Sequence, residues 1–496
     1  MRIEREVPAM ERIDPEENLS KFSKCSLSLF KRPHVKFAFL LTSSVGRVKA
    51  CLMGFILWVI FWVFLLPFRG LTAEPLTLEK AKEIALTHNP ALKAAVSQEE
   101  AARAGITRAR SAFFPRVDIR EIYQRSDSPV YVFSNKLAQQ HFQAQDFELD
   151  RLNYPSPLTN LKTEISITQP IFNRGQEIVG YRKAKIAAKM AYLLKEAVRQ
   201  RVLYETEAAY LRLLLTHERV KVIEQAVETA RANLKTVSAR VSQGLALRSD
   251  LLQARVFLAT QERELLAAQN DVQVARSRLN VILGVPLQTE WQPQGVSLAF
   301  KEVENLSFWI TKALSHRPDL LAEKARLRLA GEEVRGAKLN FGPAVNLKGV
   351  YEYNSEGVGG VQGDAFTVWA QVDLNLFRGF GDKARLAEAR AKELAQTSRL
   401  KAYEAQVKHE VEKAYLGLHT ARKQVEVTQA AVEEAEEGLR LVEKRYQEGL
   451  TIIVELLDAQ TALKKARLQH LEALYNYRLA LTELYFRAGL LSGGKK

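Results

Sequence analysis

Cysteine is nearly missing from this chain: its 496 residues hold two, Cys25 and Cys51. Both precede residue 74, so everything after that point excludes disulfides, thiolate metal sites and a cysteine nucleophile. The eight histidines form no group with metal-ligand spacing. His88 and His316 each stand two residues before a proline, at a helix break, where a structural role is expected. The glycine-rich stretch GVGGVQG at 357–363 lacks the Lys-Ser/Thr that follows a phosphate loop. Paired carboxylates such as Glu433/Glu434 and Glu436/Glu437 fall on a helix surface, and no nucleophile–base constellation accompanies them. The sequence therefore points to neither an enzyme nor a cofactor-binding protein.

Basic runs with interleaved aromatics are also missing, so the net charge of +15 does not describe a nucleic-acid groove. Residues 1–73 carry 11 Lys+Arg and 6 Asp+Glu, which leaves +10 for the remainder, dispersed along helical segments. Long hydrophobic runs are scarce as well. One exists, CLMGFILWVIFWVFLL at residues 51–66, and it is shorter than the roughly 20 residues a spanning helix needs. Arg47 and Lys49 precede it, Pro67, Arg69 and Gly70 break it, and Ala73 offers a small residue for cleavage. That is the layout of a secretory signal, with the mature chain starting at Glu74. An uncleaved inner-membrane anchor is the alternative reading of the same segment. The upstream fifty residues are long for an n-region and suit translation starting nearer Val45 or Met53. Cys51 precedes the apolar stretch, which argues against a lipid-anchored N-terminus.

Between Arg174 and Ser242 there is no proline and, past Gly180, no glycine. At 1.5 Å per residue, a helix of that length is a rod of roughly 100 Å. A globular core has no room for such a rod, which must pack against others like it.

What the chain does contain is itself, twice. Residues 85–123 align with 313–351 at a constant offset of 228, with ALTHNPAL on ALSHRPDL and RSAFFPRVDIREIY on KLNFGPAVNLKGVY. Farther on the offset is 205: Phe172 meets Phe377, Tyr210 meets Tyr415, Gly244 meets Gly449 and Gly284 meets Gly489. The first copy has 23 additional residues between Tyr123 and Phe172. The chain divides into an N-terminal extension and signal sequence (1–73), a first repeat (74–284), a linker (285–310), a second repeat (311–490) and a tail (491–496).

Each repeat reads alike: a short helix broken before proline, a second helix, two strands with a loop between them, a very long helix, a glycine turn and a long returning helix. Val220, Ile223, Val227, Ala230, Leu234, Val237 and Val241 are spaced by three and four, as are Leu251, Ala254, Leu258, Gln261, Leu265 and Ala268 after the turn. Narrow seams of this kind, with many small members, are coiled-coil packing. The strands change to period two. Val117, Ile119 and Tyr123 alternate with Asp118 and Arg120, Ile165 and Ile167 with Glu164 and Ser166, Val345, Leu347 and Tyr351 with Asn346 and Lys348. Val368, Ala370, Val372, Leu374 and Leu376 do so against Gln371, Asp373 and Asn375. One apolar face with aromatics near the strand ends is the pattern of a membrane barrel. Four strands cannot close one, and lipid tolerates no open edge, so closure requires several chains.

These residues together resemble the TolC family of outer-membrane factors over about 76–490. The marks are the doubled Asn/Arg-Pro break, the QPIFNRG and LNLFRGFG segments where strand passes to helix, and the paired turns RVSQGLALRSDLLQA and RYQEGLTIIVELLDA. The resemblance implies a mainly α fold with a small β part: a coiled-coil helical barrel plus a transmembrane β-barrel built from four strands per chain, in a homotrimer. The barrel would meet outer-membrane lipid, and segments 124–163 and 354–365 would lie outside the cell. The segment around 285–308 would pack with the C-terminal residues as a belt. The helical tips would meet a periplasmic membrane-fusion adaptor, itself bound to an inner-membrane pump, in an efflux or type I secretion system.

The resemblance also suggests a gate. By position Glu455 and Asp458, with Asp250 and Gln253 in the first turn, would ring the periplasmic end. Three copies of a carboxylate around a narrow axis favour cations. Ordinary solvated carboxylates complementing a helix start are the competing reading. Tyr446 could pair with Asp250 between neighbouring tips. Thr451 stands where some members carry an arginine, so that further latch is absent. Gly244, Leu245, Gly449, Leu450 and Thr451 are the adaptor-contact candidates. An alternative of another class, a membrane-anchored periplasmic coiled-coil adaptor, would retain residues 51–66 as its anchor and dock a partner with its hairpins.

Overall fold

The computed structural model describes residues 74–491 apart from Gly359 and Val361, so the signal-sequence reading lies outside the described residues. Each repeat opens on a proline-broken helix pair. Helices α1 (Leu78–His88) and α2 (Pro90–Arg110) meet at Asn89. Its φ of −58° and ψ of 123° are the extended backbone that proline imposes on its predecessor. Asn89 turns the interruption into a cap: its side-chain oxygen accepts from the Ala91 and Leu92 amides at 2.9 and 3.1 Å. Its amide group donates to the Ile282 carbonyl at 2.8 Å.

After α2, β2 (Arg116–Ser126) and β3 (Leu158–Asn173) lead to the long α5 (Gln176–Ser242), and α6 (Arg248–Leu283) returns. Between the two strands lie helices α3 (Pro129–Ala138) and α4 (Leu149–Asn153), where the sequence suggested only a loop. The second repeat supplies α7 (Leu306–His316), α8 (Pro318–Leu339), β5 (Ala344–Ser355), β6 (Gly363–Asp373), α9 (Gly381–Gln447) and α10 (Ile453–Arg487). Strand β6 stops at Asp373, so Leu374 and Leu376, which continue its alternation in sequence, lie beyond it.

Strand passes to long helix through two consecutive left-handed residues in both repeats. They are Arg174 (φ 59°) with Gly175 (φ 71°), and Gly379 (φ 58°) with Phe380 (φ 66°). Glycine occupies the second position in one copy and the first in the other, each time removing one of two steric penalties.

Helices α5 and α9 are both 67 residues long, about 100 Å at 1.5 Å per residue. The returning helices, 36 and 35 residues, cover roughly half of that length, and α2 and α8 pack along the rest. The seam of the first hairpin is buried and largely small: Ile223, Val227, Ala230 and Val237 on α5, Ala254, Ala268, Ala275 and Leu279 on α6. Polar pins join the two hairpins. Asn233 donates to Gln460 at 2.8 Å, and Lys464 donates to the buried Gln261 and to Glu264 at 2.7 and 2.6 Å.

At mid-length a belt crosses the rods. Strand β4 (Trp291–Pro293) pairs in parallel with β1 (Glu74–Leu76). The fully buried Tyr210 hydroxyl lies 2.6 Å from the Leu76 carbonyl and 2.8 Å from that of Gln294, and accepts the Gln294 amide at 3.0 Å. The belt thus pairs with the start of the first repeat. Of the C-terminal residues expected there, Gly489 accepts from Gln200 at 3.0 Å, and 492–496 lie outside the described residues. A three-residue strand has too little periodicity to be read from sequence. Nearby, Glu207 is 2 % exposed and holds Lys82 (2.9 Å), Arg478 (2.9 Å) and the Thr482 hydroxyl (2.7 Å).

The sheet runs β2-β3-β5-β6, antiparallel throughout. Its register aligns the apolar positions in rows. Ile119, Ile165, Tyr351 and Phe366 face one another in turn, as do Val117, Ile167, Gly349 and Val368. Directly opposite residues share a face, so these rows form one apolar surface, and Val117, Ile119, Phe366 and Val368 are all at least 60 % exposed. The other face is polar, with Arg120, Glu164 and Glu352 in one row and Arg116, Thr168 and Lys348 in another. Among the described residues the outer edges of β2 and β6 have no strand partner.

Two predictions follow from how the breaks are locked. Gly284 and Gly489 have φ values of 71° and 72°, and an added Cβ would stand 2.5 Å from the His88 carbonyl oxygen and 2.7 Å from Arg317 Cα. Gly284→Ala and Gly489→Ala should each destabilise the protein by about 2 kcal/mol or more, measured as lowered thermal or denaturant midpoints. Gly105→Ala, in a helix with open space around it, should leave stability equal or higher. At the second break Arg317 contacts Asp319 at 3.0 Å and Glu410 at 2.7 Å. Burial opposes ionisation of both carboxyls, but the hydrogen bonds (Arg317 to both, Gln406 to Glu410) and the guanidinium charge outweigh it and hold both below the usual carboxylate range. Their contribution is present above about pH 4 and is lost as pH falls through the depressed values. Denaturation midpoints should therefore drop on the acid side, and Asp319→Asn should flatten that drop.

Candidate functional site

The tips are two glycine turns built by one rule. After α5, Gly244 at φ 74° lets the Leu245 amide reach back to the Arg240 carbonyl at 2.8 Å. After α9, Gly449 at φ 75° lets the Leu450 amide reach the Arg445 carbonyl at 2.8 Å. These are the doubly bonded left-handed helix ends that glycine favours. They leave Leu245 and Leu450 73 % and 65 % exposed at the ends of the hairpins.

Asp250 and Glu455 each sit in the first turn of a returning helix. Asp250 caps its own helix: its carboxylate accepts the Leu247 amide at 3.3 Å, and the Ser249 hydroxyl lies 3.4 Å away. Glu455 accepts from the Thr451 hydroxyl. Thr451 therefore fastens a first-turn carboxylate in this chain. Glu455 and Asp458 are exposed, on one face of α10. Gln253 and Asp458 line a single open groove between α6 and α10, together with Leu252, Val256, Phe257 and Val454. The structure thus brings Gln253 and Asp458 together at equal height above the two turns.

Within the chain Tyr446 is engaged by Arg240. Its ring stacks under Arg240, with the guanidinium carbon 5.0 Å from the ring centre. The same guanidinium donates to the Tyr446 and Gln447 carbonyls at 3.4 and 3.5 Å. Arg240 thereby ties the first hairpin to the last turn of α9. Below it Val237, Ala254, Ile453 and Leu457 form a small buried cluster, with Tyr446 packed against them. Sequence reading missed Arg240 as a tip residue because a contact spanning 206 residues leaves no local signal. Among the described residues no group of His, Cys, Asp and Glu could hold a metal ion, and no helix is long and apolar enough to cross a membrane.

Comparison with known proteins agrees with this architecture. The family model for the outer membrane efflux protein matches residues 82–285 and 309–490, one segment for each repeat. The chain belongs to that family. It is 24 % identical over 438 residues to the alkaline protease secretion protein AprF of Pseudomonas aeruginosa, covering 87 % of this chain and 88 % of the relative. It is 26 % identical to the protein CyaE of Bordetella pertussis, covering 84 % and 85 %. Its fold matches the crystal structure of the Campylobacter jejuni CmeC outer membrane channel with a TM-score of 0.73 at 18 % identity, over 84 % and 87 % of the chains. It is accordingly an outer-membrane channel subunit with a periplasmic helical tunnel. The membrane-anchored adaptor reading is set aside, because both hairpins are preceded by strands that join in one sheet and the family match spans both repeats.

Removing the tie between the hairpins tests its part in the tip. Arg240→Ala should destabilise the protein by about 1–2 kcal/mol, since both Arg240 and Tyr446 are half-buried. It should raise the fraction of time that single channels spend open in a planar bilayer. Unchanged opening would show that the contact has no part in gating.

Proposed function

We propose that three copies of this chain close into one conduit, passively passing substrates from a periplasmic adaptor and inner-membrane pump to the outside. One observation carries this reading: the four-stranded sheet has an exposed apolar face and two edges unpaired among the described residues. In lipid such edges must pair. Joining β6 of one copy to β2 of the next, three times around, gives twelve strands and no free edge. The polar face then lines water, as in other membrane barrels.

The rods beneath continue the barrel as a tunnel. Its narrow end is assigned to the tips, where Glu455 and Asp458 in triplicate form the anionic ring and Asp250 and Gln253 flank it. Leu245, Leu450 and Thr451, with the glycines Gly244 and Gly449 that expose them, are the surface offered to the adaptor. The exposure of Leu245 and Leu450 supports this role, since apolar side chains at a rod end gain by being covered. The carriage of drug, ion or polypeptide is decided by the pump and adaptor in this scheme; the channel itself performs no chemistry.

The test is single-channel conductance of detergent-extracted protein, with its mass in solution measured alongside. A trimer with stable, cation-preferring conductance is expected. In Glu455→Ala/Asp458→Ala that preference should fall by about half or more, as for loss of a charged ring. Conductance with unchanged preference would remove those two carboxylates from the gate. A well-folded monomer or dimer without conductance would overturn the channel assembly.

A further inference from the structure

The additional residues of the first repeat are a folded body, and the side on which they fold is informative. Asn354 lies opposite Lys162 on one side and Gly363 on the other, and Glu164 lies opposite Glu352. Period two then places Asn160, Asn354 and Gly363 on the polar face of the sheet, the face that the proposed assembly turns toward the lumen. Helix α3 is fastened to these three residues. The fully buried Gln139 donates to the Thr159 carbonyl and to Asn160 Oδ1, both at 2.9 Å. Asn160 Nδ2 donates to Asn135 of α3 at 2.7 Å and to Asn354 at 2.9 Å. At Gly363 there is no room for a side chain, because a Cβ would stand 2.0 Å from the Ala138 carbonyl oxygen.

The segment is also braced internally. Lys136 and Asp146 pair at 2.6 Å, and Asp146 accepts the Gln143 amide at 2.9 Å. Phe142 packs edge-on against Phe133 and Phe147, each ring 5.0 Å away. Gln140, two residues past the end of α3, lies in the left-handed region at φ 55°. A non-glycine residue stays there only when its surroundings hold it. Meanwhile Val130 and Leu137 of α3 remain 79 % and 50 % exposed.

From this geometry we propose that residues 127–157 form a lid inside the outer mouth of the barrel, a second constriction at the opposite end from the helix tips. The inference rests on the channel reading above. Held by Asn160, Asn354 and Gly363, α3 projects over the lumen instead of away from the cell surface. Three copies would bring Val130 and Leu137 toward the axis as an apolar restriction, and bulky or strongly hydrated solutes would be excluded until the lid swings out.

Ser126 and Leu158 are directly paired, so the intervening segment can be replaced by a tight turn without moving either strand. The experiment uses intact cells and single cysteines, in a chain whose natural cysteines are replaced by serine. Thr168→Cys lies on the polar face, opposite Arg116 and Lys348. Tyr154→Cys, in the lid and 84 % exposed, reports the topology. Externally added small and polyethylene-glycol-linked maleimides are the probes.

With the lid in place, Tyr154→Cys should react with both probes, and Thr168→Cys should react slowly with the large one. Replacing 127–157 by the turn should speed that reaction about tenfold, as expected on removing a lid open about a tenth of the time. Gly363→Ala and Gln139→Ala, which keep the segment and loosen its seat, should act in the same direction if the replacement fails to assemble. Rapid labelling of Thr168→Cys by the large probe in the otherwise unaltered channel would overturn the lid while leaving the channel standing. Labelling that none of the variants speeds would likewise overturn it. No labelling of Tyr154→Cys from outside would overturn the channel topology, and the lid with it.

Discussion

Hydrocarbon offers no partner to a backbone amide, and that constraint shapes the molecule more than any single contact. The chain carries a sheet of four strands whose apolar side chains are in register across all four. Its two edges are open. A soluble protein would cover such a surface or blunt such edges. Here the edges are long and the face is continuous, which suits the fraction of a barrel that the proposed assembly makes of the sheet. Two strands from each repeat make that fraction, which gives the internal duplication a direct structural purpose.

Below the sheet the demand is for rigidity over a long distance. Sixty-seven-residue helices cannot be held by propensity alone. Their partners are divided: the returning helix covers one half of each rod, and the proline-initiated helix covers the other. Where the coverings meet, the chain interrupts itself, and the interruption is made specific. Asn89 caps and bridges in the first copy. In the second, Arg317 does the equivalent work with charge, against Asp319 and Glu410. Gly284 and Gly489 close the gap in both copies, because no side chain fits there. Duplication preserved the backbone solution and let the side-chain chemistry diverge.

Much of this was legible in the residues. Proline at 90 and 318 marked the breaks, period two gave the strands and their faces, and spacing by three and four gave the seams. The turns were visible from Gly244 and Gly449. The candidate tip was less legible. Glu455 and Asp458 were suggested by the family resemblance and Asp250 and Gln253 by repeat position, and the structure places Gln253 and Asp458 in one groove. Within the chain Tyr446 meets Arg240, which reaches it from 206 residues away across a packed interface, a contact no linear reading contains. The belt strand β4 and its partner β1 were invisible as strands, since three residues carry no period.

What the sequence determined by itself is the set of local conformations: where helices run, where they must stop, which strand positions are apolar, and that all of it occurs twice. These follow from short-range sterics and from the periods of helix and strand, which a linear reading contains. Tertiary structure alone decided which faces meet. It set the register that turns separate alternations into one exposed apolar surface, and it paired Arg240 with Tyr446. It also seated the end of α3 on the polar side of the sheet, although the length of the insertion gives no sign of direction. Such choices depend on close approach between segments far apart in the chain, as at Gly363 and Ala138, where a missing Cβ matters only once both backbones are in place.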